Sequence, residues 1–131
     1  MDNARDLRVL ALGDSFVAGV GDPDCRGWFG RLVSAAGRRG IATTAYNLGV
    51  RRNTTTDVLA RWEREVAVRR APGCDERLVL SFGVNESNVE TGVLRVHPDR
   101  SIANLARLLA GAAEAGLRTF VVRPRRSSMP R

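Results

Sequence analysis

A chain of 131 residues with 44% hydrophobic composition can bury one core and not two, so a single α/β domain is expected. Every one of its 21 basic residues is arginine, and four of them fall in residues 123–131, which leaves a net charge of only +3 on residues 1–122 out of +7 in all. With 5% aromatics and no stripe of cations, the composition argues against a nucleic-acid-binding surface, and no apolar run approaches the roughly 20 residues that span a bilayer. The N-terminal Met1 to Asp6 carries charges of both signs and lacks the apolar stretch of a signal peptide, so a cytoplasmic location is expected.

The first strand runs through Val9-Leu10-Ala11-Leu12 and stops at Gly13-Asp14-Ser15-Phe16. An apolar run bounded by glycine fits a strand covered on both faces, and Gly19 and Gly21 predict a loop after it. Phe29, Leu32, Val33 and Ala36 follow at helical spacing, ended by Gly37 or Gly40. Residues 41–46 are rich in β-formers and end at Asn47-Leu48-Gly49, the second strand. A helix is predicted from about 57 to 69, with Thr54 to Asp57 as cap chemistry and Val58, Leu59, Trp62 and Val66 on one face.

Arg77 to Phe82 is the third strand, and it ends in Gly83-Val84-Asn85-Glu86. An irregular excursion over 87–97 leads to a helix opened by Pro98 and Asp99, with Ile102, Leu105, Leu108 and Leu109 as its stripe and Gly116 as its end. Residues 119–122 form a fourth strand. Residues 123–131, rich in Arg, Pro and Ser, read as a disordered tail, leaving 1–122 as the domain.

Alternation of strand and helix with short connections implies parallel strands and right-handed crossovers. The three polar loops after the first three strands therefore share one edge of the sheet, the edge at which open α/β sheets bind ligands. Ser15, Gly49 and Asn85 meet there. A serine at a strand-to-helix turn can be a nucleophile, and its amide, a loop amide and a side-chain amide can hold an oxyanion. Each residue alone has a plainer use: Ser15 as a helix cap, Gly49 as a turn, Asn85 as a loop cap.

A phosphate-binding loop is excluded by the absence of lysine, and glycines 13, 19 and 21 do not fit a dinucleotide fingerprint. Two cysteines and one histidine cannot build a zinc site, and no metal or other cofactor is expected. Cys25 follows the first strand and Cys74 precedes the third, so a parallel sheet holds them at opposite ends and no disulfide is expected.

Gly13-Asp14-Ser15-Phe16, Asn47-Leu48-Gly49 and Gly83-Val84-Asn85-Glu86 resemble, in order, three blocks of the SGNH or GDSL-type serine esterases and lipases. The resemblance spans about residues 8–122. It implies a flavodoxin-like three-layer α/β/α sandwich, a small-molecule ester substrate, Ser15 as nucleophile and first oxyanion donor, and Gly49 and Asn85 as the other donors. Phenylalanine stands where the family favours leucine, and Glu86 where aspartate is usual.

The fourth block of that family, Asp-x-x-His, is absent. The sole histidine, His97, has Leu94 three residues before it and precedes Pro98, which suits a helix entry better than a catalytic base. The fifth strand and last helix of such a fold are also not found. The chain therefore reads as C-terminally truncated or frame-shifted after Val122, impaired or inactive as a hydrolase, with a non-catalytic folded fragment or small-ligand-binding module as the alternative. An uncovered fourth strand predicts self-association through the sheet edge. Arg51, Arg52 and Arg123 fall near the site's edge, where they could favour anionic substrates, although solvated side chains are the commoner outcome for arginines at loop ends.

Overall fold

The computed structural model describes residues 6–123. Strand β1 (Leu7–Gly13) buries Leu10, Ala11 and Leu12 completely, as a strand covered on both faces requires. One helical turn follows, α1 (Ser15–Ala18), where a loop was predicted. Four residues are too few to show a helical period, so the signal lies only in its caps. Asp14 accepts a hydrogen bond from the Phe16 amide at 3.0 Å, and Gly19 closes the turn with a φ of 86°.

Helix α2 (Gly27–Arg38) buries Phe29, and strand β2 (Thr43–Gly49) begins two residues later than the sequence suggested. Helix α3 (Thr55–Ala67) starts earlier than expected. Within the expected cap segment Thr54 is the N-cap, and Asp57 completes a capping box by accepting from the Thr54 amide at 2.9 Å. Strand β3 (Asp75–Ser81) leads into a short 3₁₀ turn, Val84–Ser87.

The stretch read as an irregular excursion contains a small antiparallel hairpin, β4 (Val89–Glu90) with β5 (Val93–Leu94). Two-residue strands carry no detectable alternation. Helix α4 (Pro98–Glu114) and strand β6 (Arg118–Val121) complete the described chain.

The main sheet has the order β2-β1-β3-β6 with every pairing parallel. Gly13 stands level with Gly49 on one side and with Ser81 on the other, so three strands end together. Leu10, Leu12, Leu78 and Leu80 face α3 and α4 and form the main core with Val58, Trp62, Val66 and Leu108. Ala11, on the opposite face, packs with Val17 and Phe29 beneath α1 and α2. This is an α/β/α sandwich, as expected.

Cys25 and Cys74 are both free, and the Cys74 thiol donates to Asp6 Oδ2 at 3.2 Å. Among the described residues no helix is long and apolar enough to cross a membrane. Residues 124–131 of the tail predicted to be disordered lie outside the described residues.

Candidate active site

Ser15 is the first residue of α1, directly beyond the end of β1, and its side chain is half-buried. Its hydroxyl has no hydrogen-bond partner among the described residues. The turn beneath it is held by the fully enclosed Asp14, whose carboxyl is pushed above the ordinary range by burial while the Phe16 amide pulls the other way. Val17 anchors the same turn in the smaller core.

Gly49 lies against this turn. A Cβ added there would stand 2.3 Å from the Ala18 nitrogen and 2.8 Å from the Asp14 carbonyl oxygen, so no residue with a side chain fits. Close backbone approach thus explains the glycine. The Gly49 N–H donates to Asn47 Oδ1 at 3.1 Å, while Asn47 Nδ2 donates to the Val17 carbonyl at 2.7 Å. Asn47 therefore ties the end of β2 to the serine turn and occupies the amide predicted as an oxyanion donor.

Arg61, on α3, is a residue that sequence reasoning missed. Its Nη2 donates to the Leu48 carbonyl at 2.8 Å and the Gly13 carbonyl at 3.2 Å, and its Nε donates to Asn53 Oδ1 at 2.8 Å. One guanidinium so collects the carbonyl ends of β1 and β2 and the loop after β2. Burial lowers its pKa, and Glu65 at 3.9 Å works against that shift. In the sequence it sits beside the apolar stripe of an amphipathic helix, where a charged residue ordinarily means solvent.

Asn85 stands at the end of β3 in the 3₁₀ turn. Its Nδ2 donates to the Asn53 carbonyl at 3.0 Å, and its Oδ1 accepts from Asn88 at 3.4 Å. Glu86 next to it is 7% exposed. Its carboxyl accepts from the Thr55 amide, from Thr55 Oγ1 at 3.1 Å and from Ser101 Oγ. Asn104 extends the network by donating to Thr55 Oγ1 and Thr56 Oγ1, each at 3.0 Å. Glu86 thereby clamps the Asn85 turn to the start of α3 and to α4. Only its place in a motif marked it in the sequence, and nothing there showed its partners.

The parallel topology brings Ser15, Gly49 and Asn85 to one edge, with Gly49 packed on the serine turn and Asn85 tied to the loop that leaves β2. His97 caps α4 through Nδ1, which accepts from the Asp99 amide at 3.4 Å. It lines a groove of about 630 Å³ along the α3–α4 seam that includes none of the three site residues. Arg52 pairs with Glu90 of the hairpin, and Arg95 also reaches Glu90, at 3.4 Å, so the hairpin is fastened to the loop after β2.

The sequence profile of the GDSL-like Lipase/Acylhydrolase family matches residues 11–131. The chain belongs to this family. No curated protein sequence matches it. Among solved structures, the fold is similar to AlinE4, an SGNH-hydrolase family esterase, with a TM-score of 0.71 at 24% identity over 89% of this chain and 58% of that one. It is also similar to Axe2, an acetylxylan esterase from Geobacillus stearothermophilus, with a TM-score of 0.71 at 19% identity over 94% and 61%. TesA aligns with a TM-score of 0.72 at 23% identity over 87% and 58%. The chain thus spans about 58 to 61% of the length of these three proteins.

Proposed function

We propose that this GDSL-family chain carries the nucleophile and oxyanion half of an ester-hydrolysing site. Ser15 Oγ bonds to the acyl carbon, its proton passes to a base, the alcohol leaves, and water then releases the acid from the acyl-enzyme. The Ser15 amide, the Gly49 amide and Asn85 Nδ2 are the oxyanion donors, each such donor being worth about 10²- to 10³-fold in turnover. The observation that carries the reading is the unpartnered Ser15 hydroxyl on a capped turn against which Gly49 is packed without room for a side chain.

The same proposal holds that the chain alone is a poor catalyst. Among the described residues no side chain accepts the Ser15 proton, and the one histidine of the sequence caps α4. Losing the base of a serine hydrolase costs about 10⁶-fold, as subtilisin illustrates. Hydrolysis of p-nitrophenyl acetate, with and without added imidazole, tests both parts beside Ser15→Ala. Turnover near the blank, with a Ser15-dependent rise when imidazole is added, is the expected result. Identical rates for both proteins throughout would favour a non-catalytic binding fragment, and brisk Ser15-dependent turnover without imidazole would overturn the claim of impairment. The half-exposed Phe120 and Val121 on the edge strand β6 support self-association there, which sedimentation velocity at two concentrations reads directly.

A further inference from the structure

Helix α4 repeats a charged position every seven residues, at Arg100, Arg107 and Glu114. Seven residues are close to two full turns, so the three lie in one row at intervals of about 10 Å. That row borders the seam with α3, along which two grooves open. One, of about 630 Å³, is lined by Arg95, His97, Arg100 and Arg107. The other, of about 360 Å³, is lined by Glu63 and Glu114 beside Trp62 and Arg70. Arg70 is already engaged, with Glu76 at 3.3 Å and the Ala115 carbonyl at 2.8 Å. Charge is thus sorted by sign along a single seam.

The arginine groove is ready for an anion. Among the described residues no carboxylate lines it, and neither Arg100 nor Arg107 has a hydrogen-bond or ion-pair partner. Arg95 is pinned from outside the groove: its Nη1 donates to the Arg52 carbonyl at 2.8 Å, and Glu90 at 3.4 Å and Asp57 at 3.9 Å screen part of its charge. His97 turns Nδ1 toward the Asp99 amide, so the neutral ring carries its proton on Nε2 as a donor. Asp99 Oδ2, 3.8 Å from that Nδ1, belongs to a side chain 93% exposed. On the floor, the buried Asn104 donates to Thr56 Oγ1 at 3.0 Å, which leaves the Thr56 hydroxyl proton without an acceptor among the described residues. Leu59 and Val96 supply an apolar strip beside these groups.

We infer that this groove binds a small organic phosphate carrying at least two phosphoryl groups. Its volume suits a ligand of that size. Cations reach it from two directions, Arg95 from the loop before α4 and Arg100 and Arg107 along the helix. A phosphoryl group has three acceptor oxygens and can meet several such forks at once, whereas a carboxylate presents two oxygens in one plane. The acidic groove on the same seam limits the occupant's length, because an extended polyanion following the seam would run into Glu63 and Glu114. Ser15, Gly49 and Asn85 do not line the groove, so the inference stands apart from the hydrolytic reading.

Calorimetric titration of the whole chain with inorganic tripolyphosphate, inorganic phosphate and citrate tests it, with amide NMR shifts to locate the ligand. Tripolyphosphate is expected to bind about tenfold tighter than inorganic phosphate, each further exposed ion pair adding up to about fivefold. It should also bind tighter than citrate and shift the amides of Ala60, Val96, Arg100 and Arg107. Joint Arg100→Gln and Arg107→Gln substitution should lower that affinity about tenfold. Joint Arg38→Gln and Arg39→Gln substitution removes the same charge from the end of α2, on the other face of the sheet, and should change it by less than about twofold, since screening confines surface charge to short range. Equal losses in the two double variants would reduce the effect to general attraction by a basic chain and overturn the site. Citrate binding as tightly as tripolyphosphate would overturn the phosphoryl class. Absent saturation, or shifts that map away from the groove, would overturn the inference outright, and because that map is read on the parent chain it holds even if a variant misfolds.

Discussion

Eleven buried residues join α3 and α4 to one face of the sheet, whereas three, Ala11, Val17 and Phe29, seal the other. The two halves of the proposed site are divided between them. Glu86, next to Asn85, is fastened to α3 and α4 over the deep core, while Ser15 sits on a one-turn helix over the shallow one. Rigidity is thus supplied to the serine side by other means. Asn47, Arg61 and the close contact of Gly49 tie the serine turn to β2 and to α3. A polar clasp does there what apolar burial does on the other side.

The sharpest way to break this contrast is by cavity formation. Leu80→Ala, at a side chain with no exposure, is expected to cost about 2–5 kcal/mol in urea unfolding, against about 1 kcal/mol or less for Val33→Ala on the shallow face. Equal losses would show that the faces contribute alike. Next in size is Glu86→Ala, which leaves the Thr55 amide and two hydroxyls without their acceptor. A loss of about 1–3 kcal/mol is expected, together with faster hydrogen exchange at the Thr55 amide.

Two pH effects sharpen the picture of the shallow face. Asp22 is held at a pKa of about 2, below its ordinary 3.8, first by Arg31 and then by the Asp24 and Gly27 amides. A depressed acid stabilises the fold above the unfolded value and loses that contribution as pH falls through the folded one. Between about pH 4 and 2, amides of the loop joining α1 to α2 should therefore exchange faster, and Asp22→Asn should remove this pH dependence. The smallest effect is expected from Asp14→Asn. The Asp14 carboxyl is raised by burial, so its charged form weakens the fold as pH rises through its elevated pKa. Asparagine keeps the cap, and thermal melts at pH 7 should show equal or higher stability than the parent.

The large periodic features were legible because burial imposes them. Runs such as Leu78-Val79-Leu80 and the stripe of Val58, Trp62 and Val66 announce strand and helix, and glycines at strand ends announced where the loops converge. Ser15, Gly49 and Asn85 were placed at one edge by topology alone. Contacts between distant polar groups were not legible. Arg61 reaches residues 13 and 48, and Glu86 reaches residues 55 and 101, and no local pattern encodes such distances. The helical turn at Ser15–Ala18 and the hairpin fell below the length at which periodicity can speak.

Asn47 holds the Gly49 amide with its own side-chain oxygen. The resting site thus contains an internal surrogate for the negative oxygen that the amide is proposed to bind. A substrate reaching this donor swaps one neutral acceptor for another on arrival and gains only when the oxygen becomes charged, because hydrogen bonds to ions are roughly twice as strong as those to neutral groups. On the mechanism proposed above, the swap would leave ground-state affinity nearly untouched and favour the tetrahedral oxyanion, and Asn47 would then select for the transition state over the bound ester.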